Sequence, residues 1–483
     1  MSFLTEAEIV INALNKHDIK AKAGKSKVIN MVSMEELITD FDLDFHVKNG
    51  KISEKELLQF VDKYLSSTTK LHHPSYLAHQ VAPAHYAGSL GAMIDGFTNN
   101  AMAIYEMGPG AAAIEYFLIN WFLKKVGWQP SPLASMDEKK VDKQKEQNFG
   151  GGILTHGGSI ANLTAMIAAR NRVAPDAWDN GTPSDLALLA PSGSHYSIAR
   201  AASIIGVGQK SIYHLPVDEK GAVIPDKLQS VYNQLKNHGK RAIALTANAC
   251  STAVGIYDPL DEIGDFCKEN NIWFHVDGAH GASALLTQKY KHYLNGVEKA
   301  DSLTWDAHKL MQVPTLCAAL LVRDHTSIDT AFKQEASYLF HEKEQKGFDF
   351  IHRTIECTKA GLGLKLFMVL AALGEKGMSD YIEDRVELTH RAYEYIKCLP
   401  EFSCPVQPES NILCFRISGD DDLQIMIRDR LIEKGDFYLS TTSFNNIRYL
   451  RVVIISPATT LEEIKNLINR VKSIQRTIIN ENS

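Results

Sequence analysis

The stretch Ile272-Trp273-Phe274-His275-Val276-Asp277-Gly278-Ala279-His280 decides the reading of this chain, together with Ser302-Leu303-Thr304-Trp305-Asp306-Ala307-His308-Lys309 a little further on. Each is a short run that reads as a buried strand and stops abruptly at ionisable residues, the first at Asp277 and the second at Lys309. Brief apolar runs rich in aromatic and β-branched residues, bounded by glycine or charge, are strand signals. The same pattern recurs at Gly152–Thr155, Leu186–Ala190, Ser211–Leu215, Ala242–Thr246 and Ala318–Val322, with helical stretches between them. Strands alternating with helices predict an α/β domain built on a mostly parallel central sheet.

Outside this region the text changes. Residues 1 to about 70 read as helices with charged faces, and His72 to Pro83 is aromatic, polar and proline-broken, more like a cavity lining than a regular element. Residues 131–149 are charged and rich in breakers, a solvated loop. Residues 331 to 395 read as mainly helical. The end mixes strand-like runs (Ile412–Arg416, Tyr449–Ile455) with helical ones (Leu423–Lys434, Leu461–Ile474), which predicts a small α+β domain. The expected organisation is a helical amino-terminal segment at 1–75, a large domain at 76–380 and a small carboxyl-terminal domain at 381–483.

Composition excludes several classes. A chain of 483 residues exceeds one average domain, and 45% hydrophobic residues suffice for a large core. A net charge of −6 with no basic cluster argues against a nucleic-acid surface. The seven cysteines are scattered without a CxxC pair, which suits reduced thiols in a cytoplasm. The first residues carry acids and read as an amphipathic helix rather than a signal peptide, and no run is long and apolar enough for a membrane span. The expectation is a cytoplasmic protein.

Candidate chemistry lies at the carboxyl ends of the strands, where open α/β sheets place their ligands. After Gly152–Thr155 comes His156-Gly157-Gly158-Ser159-Ile160-Ala161-Asn162, leading into a helix. Glycines let backbone N–H groups approach an anion, and a helix amino terminus adds partial positive charge, so a phosphate suits Gly157, Gly158 and Ser159. No Gly-Lys-Ser/Thr follows, so this is not a nucleotide P-loop. The next run empties into Ser194-His195-Tyr196-Ser197, where an imidazole is placed to stack on a flat ring. Ala242–Thr246 leads to Cys250-Ser251-Thr252, with small hydroxyls, and the last two ends supply Asp277 with Ala279 and His308 with Lys309. Pyridoxal 5′-phosphate needs this set: an amine to hold its aldehyde as a Schiff base, a carboxylate to keep its ring nitrogen protonated, and donors for its phosphate. A strand-end Asp or a loop His is common in any α/β protein. Five such ends together are a specific signal.

With these motifs the chain resembles the group II pyridoxal-phosphate-dependent amino-acid decarboxylases, the family of the glutamate, cysteine-sulfinate, aspartate, aromatic-amino-acid and diaminobutyrate enzymes. The resemblance runs from about His73 to the carboxyl terminus. It implies the fold type I architecture, with an obligate homodimer that shares its active sites. It also implies roles: Lys309 as the Schiff-base lysine, Asp277 as partner of the ring nitrogen and His195 as the stacking ring. Gly158, Ser159 and His308 would meet the phosphate, with Thr252 near the cofactor and Ala279 against its ring. The family keeps a proton donor on a loop after the lysine, and Ser337-Tyr338-Leu339-Phe340 is similar to that element, so Tyr338 is the candidate acid. His79 and Gln80 stand at the family's substrate-facing position, and Arg451 where an arginine often meets the substrate carboxylate. The Thr98–Pro109 region resembles the glutamate and cysteine-sulfinate enzymes more than the diaminobutyrate ones, so a small acidic amino acid is the expected substrate. Two other readings stay open: another pyridoxal phosphate reaction on the same fold (an aminotransferase, aldehyde synthase or carbon–carbon lyase) and a catalytically silent binding homologue. A zinc site at His72, His73, His79 and His85 lacks ligand spacing, and no metal is expected.

Overall fold

The computed structural model describes residues 2–132, 148–332 and 347–481. The chain falls into two compact units, Ala84–Asp384 and Met1–Pro83 with Arg385–Ser483.

In Ala84–Asp384, seven strands among the described residues form one sheet. They are β1 (Gly151–Thr155), β2 (Leu186–Pro191), β3 (Ile212–Leu215), β4 (Arg241–Asn248), β5 (Trp273–Asp277), β6 (Ser302–Asp306) and β7 (Ala318–Val322). Their spatial order is β1-β7-β6-β5-β4-β2-β3. Pairing is parallel from β6 through β5, β4 and β2 to β3, and β7 runs antiparallel to both of its neighbours. β1 therefore points the same way as β6, and every carboxyl end except that of β7 opens on one edge. The sheet is mostly parallel, as the alternating pattern predicts.

Strands covered on both faces read as continuous apolar runs, and β2 and β7 do so, buried at every residue. β5 and β6 are equally buried yet differ. Successive side chains alternate between faces, so β5 turns Trp273, His275 and Asp277 to one side. The parallel register sets His275 against Ser302 and Asp277 against Thr304. One face of this pair is polar while Phe274, Val276, Leu303 and Trp305 fill the other. The helix Gly158–Val173 is buried along most of its length, and its Ala165, Met166 and Ala169 join Ile153, Leu188, Ile243 and Leu320 in the core.

One ion pair is sealed in this unit. Lys359 Nζ lies 2.7 Å from Glu115 Oε2, both side chains are 0% exposed, and Glu115 Oε1 accepts from the Leu154 N–H at 2.8 Å. Glu115 sits on the helix Pro109–Val126, so its carboxylate ties that helix to β1, the strand that leads into the Gly157-Gly158 turn. Burial pushes the Glu115 pKa up, against the opposing pull of Lys359.

The other unit combines the amino-terminal helices, among them Phe3–Lys22 and Glu54–Ser67, with an antiparallel sheet. Ser33 and Ser53 start their helices with reciprocal capping boxes to Glu36 and Glu56. Among the described residues the sheet order is β10-β11-β9-β8, from β8 (Phe402–Ser403), β9 (Ile412–Ile417), β10 (Ser440–Phe444) and β11 (Ile447–Val453). The β10–β11 hairpin turns on Asn445 and Asn446, both at positive φ, the left-handed region that asparagine tolerates best after glycine. Helix Leu461–Glu481 buries Ile464, Leu467, Ile468, Val471, Ile474 and Ile478, an apolar stripe at helical spacing, in a core shared with Phe415 and Leu450.

One sequence expectation is narrowed. Residues 347–362 hold only the short 3-10 turn Phe350–Arg353 rather than an α-helix, and the helical text begins at Gly363. Helix Gly363–Lys397 is broken at Gly374, whose φ of 67° only a residue without Cβ adopts cheaply. The charged loop expected at 131–149 lies mostly outside the described residues.

Candidate active site

The strand ends of Ala84–Asp384 enclose a cavity of about 320 Å³. Gly157, Gly158, Ser159, His195, Thr252, Asp277, Ala279, His308 and Lys309, all named from the sequence, line it. So do His156, Asn162, Ser197, Asn248, Cys250, His280, Asp306 and Leu316, to which the sequence reading assigned no role. His79, Gln80 and Arg451 belong to the other unit, and Tyr338 lies outside the described residues.

Each wall has a local cause. β1 ends at Thr155, and Gly157 at φ 100° turns the chain into the helix Gly158–Val173. A helix's first N–H groups have no partner within it, so this turn presents donors to an anion. Gly158 admits no side chain, because a Cβ there would stand 2.7 Å from Asp306 Oδ1. β2 ends at Pro191, and His195 caps the helix Tyr196–Ile204, its Nδ1 accepting from the Ser197 N–H at 3.3 Å. Burial lowers the His195 pKa below the usual imidazole value, Asp277 pulling it up and Lys309 down. The ring is neutral near pH 7.

β4 ends at Asn248, and the returning loop is pinned by Asp258, which accepts from the N–H groups of Asn248 (2.6 Å) and Val223 (2.9 Å). Burial pushes the Asp258 pKa up to about 6. β5 delivers Asp277, 7% exposed, whose Oδ1 accepts from the Ala279 N–H at 3.2 Å and whose Oδ2 accepts from Asn162 Nδ2 at 2.9 Å. β6 delivers Asp306, and the turn beyond it delivers His308 and Lys309. Lys309 Nζ lies 3.2 Å from Asp306 Oδ2, which holds the amine at the cavity wall. His308 Nδ1 is 2.9 Å from the Cys317 carbonyl oxygen. The Cys317 N–H lies 3.3 Å from the same Nδ1, and Nε2 lies 3.6 Å from Asp306 Oδ2.

The donor set fits pyridoxal 5′-phosphate. Helix-start N–H groups and the Ser159 hydroxyl lie at the β1 turn, an imidazole and a carboxylate line the middle, and a lysine amine stands at the β6 end. When bound, the cofactor supplies an aldehyde for a lysine amine and a ring that takes up the electron pair left as carbon dioxide departs.

Residues 36–418 match the family described as pyridoxal-dependent decarboxylase conserved domain. The chain belongs to this family. As its members do, this decarboxylase uses pyridoxal phosphate and is a carboxy-lyase acting on amino acids. It is 26% identical to the acidic amino acid decarboxylase GADL1 of Xenopus tropicalis, across 90% of this chain and 86% of that protein. It is also 26% identical to the cysteine sulfinic acid decarboxylase of Mus musculus (94% and 92%) and 25% identical to an L-2,4-diaminobutyrate decarboxylase of Acinetobacter baumannii (88% and 84%). Among solved structures, mouse CSAD in apo form superposes with a TM-score of 0.87 at 25% identity, covering 97% of this chain and 98% of that one. Together they bear out the type I fold that the motifs implied.

The polar groups that sequence reading passed over had a signal. Asn162, on the cavity wall, was within the quoted motif, and behind it polar His275, Ser302 and Thr304 alternate with apolar residues inside fully buried strands.

Proposed function

We propose that this decarboxylase removes the α-carboxylate of a small acidic L-amino acid, with Lys309 as the cofactor-bearing amine, Asp277 as the partner of the ring nitrogen and His195 as the ring-stacking residue. The observation that carries the roles is the convergence of these three side chains, from three separate strand ends, on one cavity beside a phosphate-type helix start. In this reading Gly158, Ser159 and His308 hold the phosphate, and Asp277 offsets the charge of a protonated ring, the electrostatic term on which such rates largely depend.

Substrate choice rests on two supports. Two of the relatives above act, by name, on acidic amino acids. In the unit that holds them, His79 and Arg451 stand close enough for the guanidinium charge to add to burial in lowering the His79 pKa, and His79 Nε2 lies 2.9 Å from the Tyr438 hydroxyl. A guanidinium beside an imidazole and a phenol suits a carboxylate. The diaminobutyrate relative supports a second reading, a dibasic substrate. A panel of purified amino acids, scored for carbon dioxide and primary amine, decides between them. Turnover of glutamate, aspartate or cysteine sulfinate supports the acidic reading, and turnover of diaminobutyrate alone overturns it. Aldehyde with ammonia in place of amine points to an aldehyde synthase.

The working form we propose is a cytoplasmic homodimer. Among the described residues, helix Phe3–Lys22 exposes Phe3, Leu4, Ile11, Leu14 and Ile19, and helix Tyr86–Thr98 exposes Tyr86, Leu90, Met93, Ile94 and Phe97. Apolar faces of this extent are what an obligate interface covers. Light scattering at assay concentration tests it, and a fully active monomer refutes it. No helix among the described residues is long and apolar enough to cross a membrane.

A further inference from the structure

We propose that Asn162 is a positioning residue for the cofactor: through one amide it orients Asp277 and, by way of Ser197, reinforces the tautomer of His195. The inference rests on Asp277 meeting the ring nitrogen. Asn162 is 1% exposed, and its amide uses every hydrogen-bonding position it has. Nδ2 lies 2.9 Å from Asp277 Oδ2 and 2.9 Å from Ser197 Oγ. Oδ1 lies 2.7 Å from Thr304 Oγ1 and 3.0 Å from His275 Nε2. A primary amide has two N–H donors and two acceptor lone pairs, and all four are engaged.

The direction of every bond follows from what each partner can do. A carboxylate only accepts, so the amide nitrogen faces Asp277 and the oxygen faces Thr304 and His275. His275 must then carry its proton on Nε2. Its Nδ1 accepts from the Ser302 hydroxyl at 2.8 Å, and Ser302 Oγ accepts from Trp273 Nε1–H at 2.8 Å. Burial lowers the His275 pKa to about 4, so the ring stays neutral and this polarity does not reverse near pH 7. Donors thus point one way, from Trp273 through Ser302, His275 and Asn162 to Asp277, and each bond polarises the next.

A second branch leaves the same amide. Ser197 Oγ accepts from Asn162, which frees its own hydrogen for His195 Nδ1 at 2.8 Å. The hydroxyl thus joins the Ser197 N–H in donating to His195 Nδ1, and Nε2 keeps the proton. One side chain consequently bears on how two cavity-facing groups are presented. The competing account is that Asn162 only fills the seam between helix Gly158–Val173 and the β5–β6 face.

Two probes separate these accounts without turnover: pyridoxal phosphate, and its analogue with carbon in place of the ring nitrogen. The analogue cannot engage Asp277. Dissociation constants for both are measured by absorbance titration of the apo chain. Wild type should prefer pyridoxal phosphate, and Asn162→Ala should shrink that preference by about tenfold or more, the scale on which orienting partners of site ligands act. His275→Leu should shrink it too, and His275→Gln, which can still donate to Asn162 Oδ1, should retain most of it. If Asn162→Ala fails to fold, the two His275 variants carry the comparison. Equal weakening of both probes, with the preference intact, overturns the positioning role and leaves the Asp277 assignment standing. A wild-type chain with no preference overturns the Asp277 assignment itself, and this inference with it.

Discussion

Replacing His275 by glutamine removes a titrating group from the polar face of β5 and β6, and the cost depends on pH. His275 is 0% exposed, and burial holds its pKa at about 4, Asp277 opposing. In the unfolded chain the imidazole titrates near 6.5. Between these values the unfolded chain binds a proton that the folded chain refuses. The stabilising contribution is therefore complete above about pH 6.5 and is lost as pH falls through about 4. At about 1.4 kcal/mol per tenfold in proton affinity, the gap corresponds to roughly 3 kcal/mol. Glutamine does not titrate. Its amide nitrogen reaches toward Asn162 Oδ1, while the Ser302 hydroxyl loses the acceptor it has in Nδ1. At pH 7.5 the variant should be less stable by about 1–2 kcal/mol, the cost of one buried donor left unpaired. As pH falls from 6.5 to 4, wild type should lose up to roughly 3 kcal/mol more than the variant, so that the two curves converge and cross. Urea unfolding followed by tryptophan fluorescence, repeated at half-unit steps of pH, measures this. Two curves that stay parallel across that window refute the neutral buried imidazole and the bond directions drawn from it.

Other outcomes can be checked alongside. Lys309→Ala should abolish borohydride-fixed attachment of the cofactor, and a labelled cofactor peptide from that variant would sink the assignment. Asp277→Asn should keep cofactor but lose at least ~10²-fold in kcat, the scale of removing one preorganised charge. An asparagine there has one oxygen for the two N–H groups, of Asn162 and Ala279, that now meet two. Lys359→Met strands the Glu115 carboxylate in a fully buried place and should cost about 3–5 kcal/mol in denaturant unfolding. Adding Glu115→Gln should recover much of that loss, because the Leu154 N–H keeps an acceptor without a charge.

Much of the large unit was legible because its determinants are local. β2 and β7 announce themselves as short apolar runs, and Gly157-Gly158 ahead of apolar helical text places a turn and a helix start by backbone freedom alone. Functional groups at the strand ends were legible for a related reason, since a parallel sheet sends its carboxyl ends to one edge. The short elements were not. β8 spans Phe402–Ser403 and β10 is Ser440–Phe444, polar and only partly buried, so their pairing with β9 and β11 fixes them rather than any periodicity of their own. The helical part of the region 331–395 begins at Gly363 among the described residues, because 347–362 is held by tertiary partners such as Glu115 for Lys359.

The sequence by itself determined the chemistry on offer: an amine, a carboxylate, an imidazole and phosphate-type donors, each at the end of a strand. Tertiary structure decided how those groups are held. Asn162, His275, Ser302 and Thr304 come from a helix and two strands far apart in the chain, and as text they are polar residues in buried segments. Only the register of β5 on β6, with the helix Gly158–Val173 laid across that face, brings them to hydrogen-bonding distance. A buried polar group must find its partner wherever the fold places one, so residue type predicts the need for a partner, and packing alone selects which one.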